Sequence, residues 1–138
     1  MEKDRKAFIR VRYYETDKMG VVHHSNYIRW FEIGRTELLR SLGSTYKEVE
    51  EAGLMLPVIS LECAYLKPAH YDDLVEIKTK VSQYTGVKIA FSYQLTRGEE
   101  LLATGLTTHC WTDQELKPIP LKKKWPELDR LLKACVEA

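Results

Sequence analysis

The sequence lacks a long apolar run, and it lacks an excess of charge of either sign. Lys plus Arg number 21 and Asp plus Glu number 20, so the formal net charge is +1. Such a balance gives no overall field that would attract nucleic acid or an anionic membrane. Residues 1–6 are mostly charged, and no stretch behind them is apolar enough for a signal peptide or a membrane span. We therefore expect a cytoplasmic protein with no nucleic-acid partner.

Cysteine is also scarce and is not arranged for cross-linking. The three cysteines, Cys63, Cys110 and Cys135, are odd in number, widely separated and in no CxxC pair. This spacing predicts reduced thiols in a cytoplasmic protein. No glycine-rich phosphate loop or dinucleotide fingerprint occurs, so we expect no bound cofactor. Adjacent side chains seldom converge on one ion, so the pair His23-His24 does not predict a metal site.

The spacing of apolar residues predicts one α+β domain over residues 1–138. The hydrophobic content of 44% is ordinary for a chain that buries a single core. Alternation with period two predicts strands, and spacing with period 3.6 predicts helices. The predicted order is a strand, a long helix, four consecutive strands and a closing helix, at residues 7–14, 26–42, 59–67, 75–81, 87–95, 101–111 and from 126 onwards. Such segregated elements favour an antiparallel sheet with one principal helix against a single face.

Single residues add detail to this prediction. Ser25 or Asn26 can cap the start of the long helix, and Gly43 suits the position just past its end. Gly34 lies on the apolar stripe of that helix, where a glycine either permits close approach to the sheet or is simply tolerated. The last predicted strand is apolar or threonine-rich on both faces, as expected of a central strand that is covered on both sides.

The segment at residues 14–27 combines a carboxylate with the start of the long helix. Asp17 lies three residues before Gly20, which supplies a flexible turn, and Val21-Val22 lead into the helix. The first N–H groups of a helix have no partner within it and carry the positive end of its dipole. A carboxylate held beside them can promote attack on a carbonyl group that the same N–H groups polarise.

This segment resembles the 4-hydroxybenzoyl-CoA thioesterase family. The residues that carry the resemblance are concentrated in 13–43 and continue more weakly beyond it; they are Asp17, Gly20, Val21-Val22, His24, Asn26-Tyr27, Trp30-Phe31-Glu32, Arg35, Glu37, Pro57, residues 62–69 and Asp72-Asp73. The sequence is most similar to the small acyl-CoA thioesterases associated with the bacterial Tol–Pal system. The resemblance implies the hotdog fold, in which a five-stranded antiparallel sheet wraps around one long helix.

The resemblance also implies how the site acts on an acyl-CoA thioester. Asp17 would serve as general base or as nucleophile, and the main-chain N–H of His24 would be the main oxyanion donor. The His24 side chain would orient the carboxylate or the water, or protonate the departing sulfur. The residues expected to bind substrate around them are Gly20, Val22, His23, Asn26, Tyr27 and Trp30. Of these, His23 is expected at the pocket rim, with its side chain facing away from His24.

The expected partners follow from the same resemblance. The substrate would be acyl-CoA, with an acyl-carrier protein as the alternative carrier. The family implies homodimers whose sheets join edge to edge, often paired again into homotetramers, and pairing would remove the liability of an open sheet edge. Lys122-Lys123-Lys124 is by default a solvated charge run, and in a second interpretation it is a basic lip that attracts the CoA phosphates.

Two other functions compete with hydrolysis on sequence grounds. One is a hotdog dehydratase of acyl thioesters, which would use a catalytic histidine together with a Glu or Asp of the neighbouring subunit. The other is a non-catalytic module that binds acyl-CoA or acyl-carrier protein. The position of Asp17 before the helix favours hydrolysis over both, since a pure binder has no use for a carboxylate beside a carbonyl.

Overall fold

The computed structural model describes residues 4–137, which form one antiparallel sheet and three α-helices. The strands are β1 (Asp4–Arg10), β2 (Val58–Tyr65), β3 (Leu74–Tyr84), β4 (Lys88–Arg97) and β5 (Glu100–Cys110), and the helices are α1 (Ser25–Ser41), α2 (Tyr46–Glu51) and α3 (Pro126–Glu137). The strand order in the sheet is β1-β3-β4-β5-β2, and every neighbouring pair is antiparallel. The predicted α+β class and the predicted element order are confirmed, with α2 as an addition.

Helix α1 packs its apolar stripe against the inner face of the sheet. The buried residues of this stripe are Tyr27, Trp30, Phe31, Leu38 and Leu39. The helix approaches the sheet closely at Gly34, as one of the two interpretations predicted. A Cβ atom there would lie 2.8 Å from Ile77 Cγ2 and closer still to Thr79 Oγ1. Beyond the helix, Gly43 has a φ of +84° and its N–H donates to Arg40 O. Glycine adopts this left-handed conformation without strain, as predicted for that position.

The start of α1 differs from the prediction. The helix begins at Ser25, and the preceding His24 is already helical (φ −55°, ψ −29°) and makes no side-chain cap. Ser25 Oγ lies 2.8 Å from His23 Nδ1, and Asn26 Nδ2 donates to Glu15 O at 2.9 Å. The prediction that Ser25 or Asn26 caps the helix is therefore wrong, because both side chains are engaged by the loop that precedes it.

Strand β1 ends earlier than the predicted segment 7–14. Pairing with β3 stops at Arg10, and Tyr13–Glu15 forms a turn of 3-10 helix. Two hydrogen bonds hold this turn: the Glu15 N–H donates to Arg12 O at 3.0 Å, and the Thr16 N–H donates to Tyr13 O at 3.1 Å. The apolar alternation continues beyond the last paired residue, so it could not mark the end of the strand.

Strands β3, β4 and β5 form the middle of the sheet, with β4 at its centre. Gly86 and Gly98, in the turns before and after β4, have φ values of +97° and +60°. β5 lies between β4 and the edge strand β2, so the predicted central position of the last strand is only partly right. Its outward side chains are partly exposed rather than covered, and these are Thr104, Leu106 and Thr108.

Of the two shorter helices, α3 packs against β3. The start of α2 is an N-cap that the sequence did not predict, in which Thr45 Oγ1 accepts from the Glu48 N–H at 3.2 Å. Helix α3 buries Leu128 and Leu132. Its Asp129 is also buried and accepts a hydrogen bond from the Tyr84 hydroxyl at the end of β3, which ties the helix to the sheet.

Candidate active site

Asp17 and His24 line one pocket, as the sequence analysis expected. The pocket has a volume of about 300 Å³ and lies where the loop before α1 meets the end of β2. Its lining residues are Asp17, Met19, Val21, Val22, His24, Tyr27, Tyr65, Leu66, Lys67 and Pro68. The predicted site residues Asp17, His24, Val22 and Tyr27 are thus brought together around one space.

A tight turn presents the Asp17 carboxylate to the pocket. The Asp17 N–H donates to Val21 O at 2.9 Å, and the Gly20 N–H donates to Asp17 O at 3.0 Å. Gly20 has a φ of +80°, a conformation that side chains other than hydrogen disfavour. Asp17 Oδ1 accepts from the Met19 N–H at 2.8 Å, while Oδ2 receives no hydrogen bond from residues 4–137. One carboxylate oxygen is therefore held and the other is available for chemistry.

The main-chain N–H of His24 stands out among those at the helix start. The neighbouring amides all have acceptors: Val22 N–H donates to Ala69 O (2.8 Å), His23 N–H to Glu15 O (2.9 Å), Ser25 N–H to His23 Nδ1 (3.2 Å), Asn26 N–H to His23 O (3.0 Å) and Tyr27 N–H to His24 O (3.2 Å). Among the described residues, no acceptor lies at the His24 N–H. This donor combines an open hydrogen-bonding direction with the positive end of the α1 dipole.

The two histidine rings lie together rather than apart. The rings of His23 and His24 stack with centroids 4.2 Å apart and an interplanar angle of 29°. The expectation that His23 faces away from His24 is therefore wrong, because the hydrogen-bonding contact between His23 Nδ1 and Ser25 Oγ turns its ring back over the helix start. His23 is exposed beside the pocket and is not one of its lining residues.

Three other predicted substrate-binding residues lie outside the pocket lining. Gly20 is exposed in the turn that carries Asp17. Asn26 is buried and bonds to Glu15 O, and Trp30 is fully buried with its Nε1 donating to Glu15 Oε2 at 3.0 Å. Asn26 and Trp30 therefore connect the loop to the helix and do not line the pocket.

One wall of the pocket, residues 65–68, was not predicted as part of the site. The Tyr65 hydroxyl donates to His24 O at 3.1 Å, across 41 positions of sequence. Tyr27 anchors the next residues, since its hydroxyl accepts from the Ala69 N–H at 3.0 Å. Burial raises the pKa of the Tyr27 hydroxyl, which favours the protonated phenol. Residues 62–69 carried part of the family resemblance, which was the one sequence signal for this wall.

An ion pair outside the pocket holds residues 65–68 in place. Arg97 on β4 donates to Pro68 O at 3.2 Å and contacts Asp73 Oδ2 at 2.6 Å. Burial opposes ionisation of Asp73, but the hydrogen bond from the His70 N–H and the contact with Arg97 lower its pKa overall. The pocket wall is therefore braced by an ion pair to the β4–β5 hairpin.

The run Lys122-Lys123-Lys124 lies apart from the lining of the Asp17 pocket. Lys122 and Lys123 lie in a 3-10 turn just before α3, and Lys124 follows it. None of the three lines the pocket, whereas Lys67 does, with its Nζ 3.2 Å from Glu100 Oε2. Within this chain, Lys67 is thus the basic residue at the Asp17 pocket.

Two structural features are absent from residues 4–137. No group of three or more His, Cys, Asp or Glu side chains there is placed to hold a metal ion. No helix in that range has the length and apolar character needed to cross a membrane.

Comparison with known proteins places this geometry among thioesterases. A family model described as the thioesterase-like superfamily matches residues 11–132. YneP of Bacillus subtilis is 38% identical over 124 residues, which cover 88% of this chain and 90% of that protein. The acyl-CoA thioesterase YbgC of Haemophilus influenzae is 36% identical over 118 residues, which cover 84% of this chain and 87% of that protein.

A solved structure gives the same result. The DHNA-CoA thioesterase of Staphylococcus aureus superposes with a TM-score of 0.91 at 33% sequence identity. The match covers 97% of this chain and 91% of that one. Both chains therefore share the whole arrangement of sheet, long helix and closing helix.

Proposed function

This chain belongs to the thioesterase-like superfamily and is an acyl-CoA thioester hydrolase with the hotdog fold, and we propose that Asp17 and the main-chain N–H of His24 carry out its reaction. The observation that supports this most directly is their common pocket. Asp17, with one oxygen that accepts no hydrogen bond, and His24, whose N–H has no acceptor among residues 4–137, both line it.

The reaction needs a place for negative charge as the carbonyl carbon becomes tetrahedral. In our proposal the thioester oxygen accepts a hydrogen bond from the His24 N–H, and the dipole of α1 adds to that stabilisation. Collapse of the intermediate breaks the C–S bond and expels the thiolate of CoA. Because a thiolate is a good leaving group, the His24 imidazole is needed at most to protonate the sulfur as it departs.

Asp17 acts in one of two ways, both compatible with its free oxygen. As general base it takes a proton from a water that attacks the carbonyl carbon. As nucleophile it attacks directly, releases CoA and forms a mixed anhydride, which water then hydrolyses to the free acid. A single-turnover experiment separates them, because CoA appearing ahead of the free acid indicates the anhydride and simultaneous release indicates the general base.

Substrate contacts follow from the pocket. We propose that Val22, Tyr27 and Tyr65 enclose the acyl group near the thioester, with His23 at the rim and Lys67 available to the CoA phosphates. CoA, or an acyl-carrier protein in its place, would approach from the open side of the pocket. Catalytic efficiency measured over aromatic, short branched and medium-chain acyl-CoA compounds decides among acyl groups.

The assembly and setting of the enzyme are also part of the proposal. We propose that residues 1–138 act as one thioesterase domain and that β2 pairs with a second copy in a homodimer, which can pair again into a tetramer. The three cysteines are free thiols, which agrees with a cytoplasmic location.

Replacing Asp17 by asparagine tests the proposed role directly. Asp17→Asn keeps an oxygen that can accept from the Met19 N–H, so the turn should be preserved. We expect turnover to fall at least roughly a hundredfold, with acyl-CoA binding retained, because the variant can neither take a proton nor attack efficiently. Thiol release is measured alongside enoyl absorbance, which would change if the enzyme were a dehydratase instead.

The matched control is Asp113→Asn. Asp113 also sits in a turn, and its Oδ1 accepts from the Glu115 N–H two residues on at 2.8 Å, as in the Asp17 turn. It is absent from the pocket lining, so its variant should hydrolyse at the normal rate. Unchanged hydrolysis by Asp17→Asn would remove Asp17 from the mechanism.

A further inference from the structure

We propose that Glu15 is a positioning residue, which holds Asp17 and the His24 N–H at the separation that catalysis requires. The proposal rests on the function proposed above for those two groups. It concerns a carboxylate that points away from the pocket and touches neither the substrate space nor the reacting atoms.

The Glu15 side chain is committed to two donors in the interior. It is only 4% exposed. Its Oε1 accepts from the Arg12 N–H at 2.7 Å, and its Oε2 accepts from Trp30 Nε1 at 3.0 Å. Trp30 lies one turn into α1 and is fully buried, so this carboxylate joins the loop to a fixed point on the long helix.

The main chain of Glu15 makes a second connection to the same helix. Its carbonyl oxygen accepts from the His23 N–H and from Asn26 Nδ2, both at 2.9 Å. Asp17 is two residues after Glu15, and His24 is the residue after His23. The four hydrogen bonds that Glu15 accepts therefore bracket both reactive groups.

This arrangement explains why the His24 amide is the free one. The carbonyl oxygen of Glu15 accepts a hydrogen bond from the N–H of His23, and Ala69 O accepts one from the N–H of Val22. The N–H of the next residue, His24, which lines the pocket, has no acceptor among residues 4–137. The bonds of Glu15 thus decide which helix-start donor is presented and where the Asp17 turn lies relative to it.

A carboxylate is needed because both side-chain partners are donors. A glutamine side chain has one acceptor oxygen. Its amide NH2 is a donor and would lie against either the Arg12 N–H or the indole N–H of Trp30, which are also donors. One buried donor would lose its partner, and the loop would shift to relieve the repulsion. Misplacement of a reacting group by about 1 Å can cost roughly a hundredfold in rate.

The test is the Glu15→Gln variant, assayed with an acyl-CoA that the wild-type enzyme hydrolyses. We expect kcat to fall about 10- to 100-fold while KM changes by less than about threefold, since geometry is lost and the pocket lining is kept. A structural role alone would lower the melting temperature without this division between kcat and KM. A folded Glu15→Gln variant with wild-type kcat would overturn the proposal.

A double variant provides the readout specific to positioning. If Glu15 acts through Asp17, the Glu15→Gln change should cost little more in an Asp17→Asn background, so the two effects should not add. Full additivity of the two effects would overturn the positioning role. If Asp17→Asn alone hydrolyses normally, the proposed function fails as well; if only Glu15→Gln hydrolyses normally, the positioning proposal fails by itself.

The matched control is Asp129→Asn, which changes another buried carboxylate that accepts from a side chain on a different element. Asp129 is 5% exposed and binds the Tyr84 hydroxyl, far from the pocket lining. Its variant should lose thermal stability and keep kcat. If Glu15→Gln does not fold, Trp30→Phe removes the indole donor to Oε2 together with part of a buried ring. A severalfold loss of kcat is then expected, and an unchanged kcat there would overturn the proposal.

Discussion

At the scale of single residues, the proposed mechanism depends on a main-chain group that no side chain replaces. In that mechanism His24 offers its N–H to the thioester oxygen, and its φ of −55° lies within the range that proline adopts. Since this N–H has no acceptor among the described residues, removing it breaks no hydrogen bond of the folded chain. The donor can therefore be deleted by substitution, which is seldom feasible for a main-chain group.

Comparison of His24→Pro with His24→Ala separates the amide from the imidazole. Proline lacks the N–H, so kcat should fall by about 10²–10³, the usual cost of losing one oxyanion donor. Alanine keeps the N–H, and we expect a smaller loss of roughly tenfold or less, because a thiolate leaves without a strong acid. Steady-state kinetics and circular dichroism of both variants check this, and equal losses would contradict the role of the amide.

At the scale of elements, the position of α1 against the sheet sets where the helix start meets the loop. Gly34 permits this approach at the crossing with β3, next to Ile77 and Thr79. The helix then buries its aromatic stripe, and its last turn closes through Gly43. A helix held further from the sheet would carry the His24 amide away from Asp17.

Gly34→Ala should destabilise the protein although alanine favours helix. The helix gains about 1 kcal/mol in propensity, but the added methyl overlaps the side chains of β3, and overpacking of this kind costs about 1–3 kcal/mol. We expect a net loss of up to about 2 kcal/mol in the free energy of unfolding, measured with urea. Glu32→Ala, at an exposed position of the same helix, should change it by less than about 0.5 kcal/mol.

At the scale of the whole molecule, the two edges of the sheet differ in character. The edge strand β1 carries four charged residues in the sequence DRKAFIR, which discourages pairing with another strand. The other edge, β2, exposes apolar side chains, and these are Val58, Ile59, Leu61 and Tyr65. An open apolar edge of this kind favours pairing with a second copy. Because Tyr65 also lines the pocket, such pairing would extend to the site.

The substitution Ile59→Lys tests which edge pairs. Ile59 is 53% exposed on β2, so a lysine there should leave the monomer folded while placing like charges near each other in a dimer. We expect light scattering to show a shift towards monomer, together with reduced hydrolysis. Phe8→Lys makes the same change at a 61% exposed position of β1 and should alter neither property. Retention of the wild-type assembly by Ile59→Lys would argue against pairing through β2.

The sequence by itself determined what depends on local pattern. Periodicity placed α1, the four later strands and α3, because neighbouring side chains on one face of a helix or strand share one environment. Gly43 could be assigned because a left-handed residue is needed wherever a helix closes in this way. The carboxylate of Asp17, its glycine turn and the helix start also lie within ten residues of one another, so their proximity was visible in the sequence.

Only the tertiary structure decided the features that join distant segments. Tyr65 reaches His24 O across 41 positions, and no local rule could place residues 65–68 in the wall of the pocket. Glu15 is hydrophilic and nothing in the local pattern singled it out, yet the two donors to its carboxylate come from a turn and from a helix. The sequence carries the reactive groups, but the choice of the free amide follows from which hydrogen bonds the folded chain has already used.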